Sequence, residues 1–289
     1  MTESGANWTV VTGSTGGIGS EIVTILAARG DALILVNRSE AKGVAQRDAI
    51  LAKHPKAAIE LVTADLMDTA QIAEAAAKID ALPGRIDALY NNAGLLTSKK
   101  TLSAQGFESQ FAVNTLAAYQ LTKALRAKMA RPAGETPAMV VNLSSSAITP
   151  LKKLELDTLA DPPKVGGLMS TYAQTKLAVT TLSAALADTL KPDNILIRAI
   201  DPGATKTPMT TSGGSGMPKI LAWIAPLVFS PADKQAAKLV DSADPAAFGG
   251  RSGIYVANRR EKKPPAPVMD AGMQRDLVAM LDRLLAPQA

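Results

Sequence analysis

Tyr172 and Lys176 stand four residues apart in Tyr172-Ala173-Gln174-Thr175-Lys176, so on a helix they share a face. A free tyrosine has a pKa of about 10 and is a poor base at neutral pH. Lowering it by ~3 units takes ~4 kcal/mol. A cation at ~4 Å contributes about that much at an effective dielectric near 20. The pair therefore has the chemistry of a proton donor and acceptor for a carbonyl or an alcohol oxygen. A serine hydroxyl on the same oxygen would hold it as negative charge develops. Alone, a tyrosine and a lysine at this spacing are better explained by an ordinary amphipathic helix start. The reading depends on what surrounds them.

Over the first 200 residues, short apolar runs alternate with longer Ala-rich segments of helical period. The predicted strands are Trp8–Thr12, Ala32–Val36, Ala58–Val62, Ile86–Tyr90, Met139–Leu143 and Ile195–Ile200, with a seventh at Gly253–Val256. The predicted helices are Gly17–Arg29, Glu40–Lys53, Thr69–Ala81, Phe107–Ala130 and Tyr172–Leu190, and a last amphipathic one at Asp270–Leu285. Such alternation implies a doubly wound α/β fold, a Rossmann-like parallel sheet of about seven strands with helices on both faces. The strands are apolar throughout, as buried parallel strands are.

The first strand runs into Thr12-Gly13-Ser14-Thr15-Gly16-Gly17-Ile18-Gly19. A strand, a glycine-rich turn and a helix start form a pyrophosphate site, because the free N–H groups and the helix dipole favour an anion. Gly13 permits the tight turn, and Gly17 and Gly19 allow close backbone approach. Ser14, Thr15 and Ile18 complete the candidate contact set. The second strand ends Leu35-Val36-Asn37-Arg38. An acidic residue there would bind the ribose hydroxyls and repel a 2′-phosphate; a neutral Asn37 followed by Arg38 favours NADP(H) over NAD(H). Asp65 and Leu66, after the third strand, are placed to meet the adenine edge.

Four further segments converge on the carboxyl edge of such a sheet: Asn91-Asn92-Ala93-Gly94, Phe111-Ala112-Val113-Asn114, Val141-Asn142-Leu143-Ser144-Ser145-Ser146, and the Tyr172–Lys176 stretch. Each is common by chance, and the ordered set is specific. Together they resemble the short-chain dehydrogenase/reductase family over about Val10 to Thr207. The resemblance implies a nicotinamide cofactor, with Tyr172 as catalytic acid/base and Lys176 as its activator and ribose ligand. It further implies Ser145 as the donor to the substrate oxygen and Asn114 as the anchor of a relay water. Asn92, Ala93 and Gly94 would wall the adenosine side, and Pro202, Gly203, Thr205 and Thr207 would lie beside the nicotinamide. The 26 residues between Ser145 and Tyr172, the Asn37-Arg38 strand end and the extended region after Thr207 point to the retinol-dehydrogenase-like branch. Gly16 stands where some NADP enzymes of the family carry a basic residue, so the cofactor reading rests mainly on Arg38.

Composition excludes several other classes. The 289 residues contain no cysteine and one histidine, His54, ahead of Pro55. Disulfides, thiolate nucleophiles, histidine-rich metal sites and a Ser-His-Asp hydrolase are thereby set aside, and no metal is required. A net charge of +5 with scattered basic residues and 3% aromatics argues against nucleic acid. The longest strongly apolar run, Ile220 to Phe229, is broken by Pro226 and too short to span a bilayer. A polar N-terminus without a signal pattern points to the cytoplasm. The expectation is thus a single Rossmann-like domain over 1–289, acting on a small-molecule substrate, with no integral membrane segment. A lid is expected over 207–231, its apolar residues Leu221, Trp223, Ile224, Leu227 and Phe229 hinged on Ser212–Gly216 and suited to a hydrophobic substrate; a helix docked on the core or at a subunit contact explains Met217–Phe229 equally well. The resemblance also implies a homo-oligomer paired through the two long helices. The competing readings are a non-catalytic NADP-binding redox sensor, which would lack one of Ser145, Tyr172 or Lys176, and an epimerase or dehydratase on nucleotide-linked sugars, which would carry a larger C-terminal domain.

Overall fold

The computed structural model describes residues 7–166, 170–205 and 230–286. The lid expected over 207–231 lies almost entirely outside the described residues, as does Thr207. The strands are β1 (Asn7–Thr12), β2 (Ala32–Asn37), β3 (Ile59–Thr63), β4 (Arg85–Asn91), β5 (Ala138–Leu143), β6 (Ile195–Asp201), β7 (Ile254–Ala257) and β8 (Arg260–Lys262). The helices are α1 (Gly17–Arg29), α2 (Glu40–Lys53), α3 (Thr69–Ala81), α4 (Ser109–Phe111), α5 (Ala117–Met129), α6 (Leu156–Leu159), α7 (Thr171–Leu190), α8 (Ala232–Ala243), α9 (Ala266–Met269) and α10 (Ala271–Leu285).

One sheet runs β3-β2-β1-β4-β5-β6-β7-β8, parallel except for β8, which pairs antiparallel with β7. The first seven strands are those the sequence predicts; the eighth, three charged residues just before Lys263-Pro264-Pro265, is not among them. The strand order reverses direction between β1 and β4, and a crevice forms at such a switch point beyond the carboxyl ends. Every β5 residue is buried, and β1 and β2 are buried beyond their first residue, because helices cover both faces. One face packs Ile72, Phe111, Leu121, Leu177 and Leu277 over the sheet, and the other packs Ile22, Val23, Ile50 and Leu239.

Local chemistry sets the helix limits that matter for the crevice. Ser39 Oγ accepts from Lys42 N to start α2, and Asp68 accepts from Ala70 N to start α3. The buried Glu108 accepts from Gln110 N and Phe111 N, so the helix predicted from Phe107 starts at Ser109. Between α4 and α5 lies a π-helical turn, Ala112–Leu116, with Asn114 at its centre. His54 ends α2, its N–H donating to Ile50 O, as an ordinary terminal residue.

The stretch between Ser145 and α7 is anchored rather than free. Leu154 and Leu159 are buried in the core, and Gln174 both donates to Lys153 O and accepts from Glu155 N. At the other end, α10 lies on α7 and α5, burying Leu277 and Leu281 and placing Asp282 on Tyr119 and Lys123. Part of the surface of the two long helices is thus covered by a helix of the same chain. No helix among the described residues is long and apolar enough to cross a membrane.

Candidate active site

The glycine turn leaves β1 at the switch point. Gly13 has φ 63° and donates to Val36 O at 2.9 Å. A Cβ there would sit 2.9 Å from Ala93 Cα, and one at Gly19 would sit 2.4 Å from Gly13 O. Both positions thus exclude side chains on steric grounds. Gly16, by contrast, has open space where its Cβ would be, and it caps α1 with no side chain accepting from the first-turn N–H groups. An uncapped helix start beside an open glycine suits a phosphate group.

The surrounding polar residues brace this turn. Asn92 Nδ2 donates to Thr12 O at 2.8 Å and to Gly13 O at 3.1 Å, and Ala93 N donates to Thr12 Oγ1. Asn37 Nδ2 donates to Ser14 Oγ at 2.7 Å, and Asn37 Oδ1 accepts from Thr15 N. Ser14 is fully buried and its hydroxyl donates to Gln46 Oε1 at 2.6 Å. The side chains of Asn37, Ser14 and Asn92, expected at the cofactor, are engaged in holding the loop. Ile18 packs partly against the core, and Gly94 follows Ala93 half-buried at the crevice. Arg38 is exposed and, among the described residues, has no hydrogen-bond or ion-pair partner. Asp65 accepts from Met67 N at 3.0 Å, and Leu66 is buried in the core.

The chemical centre forms where α7, β5 and the π turn meet. Tyr172 and Lys176 are 9% and 4% exposed, and Lys176 Nζ donates to Leu143 O at 2.8 Å, 5.8 Å from the centre of the Tyr172 ring. Ser145, past the end of β5, caps the short turn Ser146–Ile148 through Ala147 N and stands beside the Tyr172 hydroxyl. Asn114 Oδ1 accepts from Leu95 N at 2.7 Å, while its Nδ2 donates to Leu95 O and Thr175 Oγ1, both at 3.0 Å. Thr115 Oγ1 donates to Thr175 O, and Thr175 Oγ1 to Tyr172 O. The π turn is thus fastened to α7 between Tyr172 and Lys176. The carboxamide of Asn114, the residue expected to anchor a relay water, is bonded to the Leu95 main chain and to Thr175.

Electrostatics depart from the sequence expectation. Burial pushes the Tyr172 phenol up to about 12, with the Ser145 hydroxyl pulling the other way. Burial pushes Lys176 down to about 8, opposed by Asp201. Lysine was expected to lower the tyrosine by proximity; here burial is the largest influence on the phenol and the Asp201 charge adds to the rise.

Sequence reasoning passed over Asp201, although it directly precedes Pro202-Gly203. Asp201 is 6% exposed at the end of β6, where it accepts from Gly203 N at 2.8 Å and from the Tyr255 hydroxyl at 3.4 Å. Gly203 has φ 82°, and Thr205 Oγ1 donates back to its carbonyl. Asn91 and Asn142, part of the quoted motifs, face inward: Asn91 Nδ2 donates to Asn142 Oδ1, and Asn142 Nδ2 to Ser183 Oγ.

Comparison with known proteins agrees with this geometry. Residues 7–153 and 164–217 match the family model described as short chain dehydrogenase. The chain is 33% identical over 214 residues to the short-chain dehydrogenase TIC 32 A of Brassica napus, covering 72% of this chain and 67% of that protein. It is 32% identical over 198 residues to human retinol dehydrogenase 13, covering 68% of this chain and 59% of that one. Among solved structures, a protein from Mycobacterium paratuberculosis superposes with a TM-score of 0.73 at 22% identity, covering 98% of this chain and 96% of that one. An NADPH-bound carbonyl reductase from chicken fatty liver superposes with a TM-score of 0.65 at 22% identity, covering 90% and 99%.

Proposed function

The chain belongs to the short-chain dehydrogenase/reductase family, near its retinol-dehydrogenase-like branch, and from that premise we propose that it is an NADP(H)-dependent carbonyl reductase or alcohol dehydrogenase acting on a small apolar substrate. Membership makes it an oxidoreductase that uses a nicotinamide cofactor. The observation that carries the finer reading is the buried pair, Tyr172 with Lys176 one turn below it and Ser145 at its hydroxyl.

The bound nicotinamide would supply the hydride in reduction and take it back in oxidation. The chain's own residues handle the oxygen. In reduction, Ser145 donates a hydrogen bond to the substrate carbonyl oxygen, and Tyr172 gives that oxygen its phenolic proton as the carbon is reduced. In oxidation the same proton returns to Tyr172. A phenol held up near 12 is protonated at neutral pH, which suits the donor role. Lys176, one turn away, stabilises the phenolate left behind. Leu96, Ala147 and Ala173 cluster with Tyr172, and Leu151 packs against them. This apolar surrounding of the tyrosine favours an apolar substrate, in keeping with a relative named for retinol.

The uncapped α1 start and the open space at Gly16 would take the pyrophosphate. Arg38 is the group offered to a 2′-phosphate, since Asn37 is committed to the loop. We treat residues 1–289 as one domain, because strands from Asn7 to Lys262 join a single sheet. The test is a panel of ketones, aldehydes and alcohols followed by NADPH absorbance, with Tyr172→Phe as control. Apolar carbonyls should be reduced by the wild type, and the variant should bind NADPH without turning over. Turnover retained in Tyr172→Phe would remove the tyrosine from its role. Arg38→Asp should move the preference toward NADH; a wild type that already prefers NADH would overturn the 2′-phosphate reading.

A further inference from the structure

Lys176 is a buried cation with one main-chain acceptor. Such a group is costly to bury without a counter-charge. Its acceptor, Leu143 O, belongs to the last residue of β5, and Leu143 pairs with Ile200 on β6. Asp201 is the next residue along β6, so a buried carboxylate sits at the adjoining strand end.

Asp201 is held from three sides. Gly203 N donates to one oxygen at 2.8 Å, the Tyr255 hydroxyl on β7 donates to the other at 3.4 Å, and the Ser146 N–H donates as well. Each donor favours the ionised form, while burial raises the carboxyl. We propose that Asp201 is a positioning residue for the reaction: it is the counter-charge that keeps Lys176 protonated inside the site. The inference rests on the reading of Tyr172 and Lys176 as the reacting pair.

The groups facing Lys176 are few. Tyr172 shares its helix, Leu143 O and Ser145 come from β5 and its end, and Asp201 comes from β6 with Tyr255 behind it. Among the described residues, Asp201 is the charged group that acts on Lys176, and its effect is upward, against burial. Asp201→Asn separates charge from shape. The amide keeps an acceptor for Gly203 N and nearly the same volume; it removes the negative charge and turns the oxygen facing Tyr255 into an N–H donor, toward which that hydroxyl can turn as acceptor.

The experiment is an NMR titration of the lysine 15Nζ signals in the full chain, with the Lys176 signal assigned by its loss in Lys176→Met. In the wild type its midpoint should lie near 8. In Asp201→Asn the ratio of protonated to neutral Lys176 at pH 7 should fall about tenfold. The alkaline limb of the kcat/KM profile should move down with it. A Lys176 midpoint unchanged in a folded Asp201→Asn would overturn the proposal. Should that variant not fold, the reciprocal measurement decides: in Lys176→Met the Asp201 carboxyl 13C midpoint should rise by a matching amount, and an unchanged midpoint overturns the proposal equally. Neither titration depends on turnover, so retained activity in Tyr172→Phe would sink the catalytic reading while leaving the Lys176–Asp201 coupling to be judged by itself.

Discussion

Arg198, in the middle of β6, and Lys176, on α7, are both sealed from solvent, and their surroundings are opposite. Arg198 donates to five main-chain carbonyls, those of Arg251, Ser242, Asp244, Pro245 and Ala247, which uses every donor the guanidinium has. Its face lies 5.4 Å from the centre of the Phe248 ring. Lys176 has one carbonyl, a tyrosine ring and a carboxylate close by. A cation with all its donors satisfied can only hold a shape, and here it staples the segment between α8 and β7. A cation with donors to spare can respond to charge appearing beside it. Burial alone does not mark a functional residue; the unfilled valence does.

The sharpest way to break this contrast is to remove each charge in turn. Lys176→Met should lower turnover by roughly 10²–10⁴-fold, the usual reach of positioned acid–base groups, with no fall in melting temperature. Arg198→Met should do the reverse. Five carbonyls would lose their donor in the interior, a destabilisation of about 3–5 kcal/mol. That corresponds to a drop of roughly 6–12 °C, seen by calorimetry, with turnover per folded molecule within about twofold of wild type. A thermally unaffected Arg198→Met would show that the staple is redundant.

The pH dependence of stability sharpens the Lys176 side. Its folded pKa lies near 8, below the ordinary value of 10.5. Between those values the unfolded chain binds the proton and the folded chain does not, so stability rises with pH across that window. Below about pH 8 the full cost of burying the cation is present, about 3 kcal/mol. Lys176→Met escapes that cost, less whatever Leu143 O loses as an acceptor. Its stability gain over wild type, by urea denaturation, should therefore be larger at pH 7 than at pH 10. A gap that grows with pH would have the wrong sign and would place Lys176 in a site that favours its charge outright.

Neither cation's role could be read from the sequence in the same way. Lys176 was legible because Tyr172, Ser145 and the glycine turn lie around it in order. The limits of α1, α2 and α3 were legible as well, because Gly16, Ser39 and Asp68 announce the helix starts. Arg198 sits as the one charge in the apolar run Ile195–Ile200, and nothing local says that its acceptors lie 44 to 53 residues further on. Asp201 suffered the same way: its partners Tyr255 and Lys176 come from other elements. Strand β8 is three exposed charged residues, and it exists only because β7 offers an edge and Asn258 and Arg259 turn left-handed between them. Asn37, Ser14 and Asn92 were found, but spacing could not tell a residue that touches a ligand from one that holds the loop.

The smallest effect tests the staple from its other side. Phe248 has φ 56°, a left-handed backbone that bulky residues rarely adopt, and Gly249 and Gly250 continue at φ 63° and 70°. The ring is retained over Arg198 and against the core face of Ile22 and Leu239, and that contact offsets the backbone cost. Phe248→Ala loses the ring and keeps the strained backbone. Phe248→Gly loses the ring and relieves the strain, worth about 1 kcal/mol. Glycine should therefore give the more stable protein of the two by about 1 kcal/mol, reversing the order found where backbone is ordinary. If alanine proved the better residue, the turn would be free to relax, and Arg198 would be holding a segment that had already yielded.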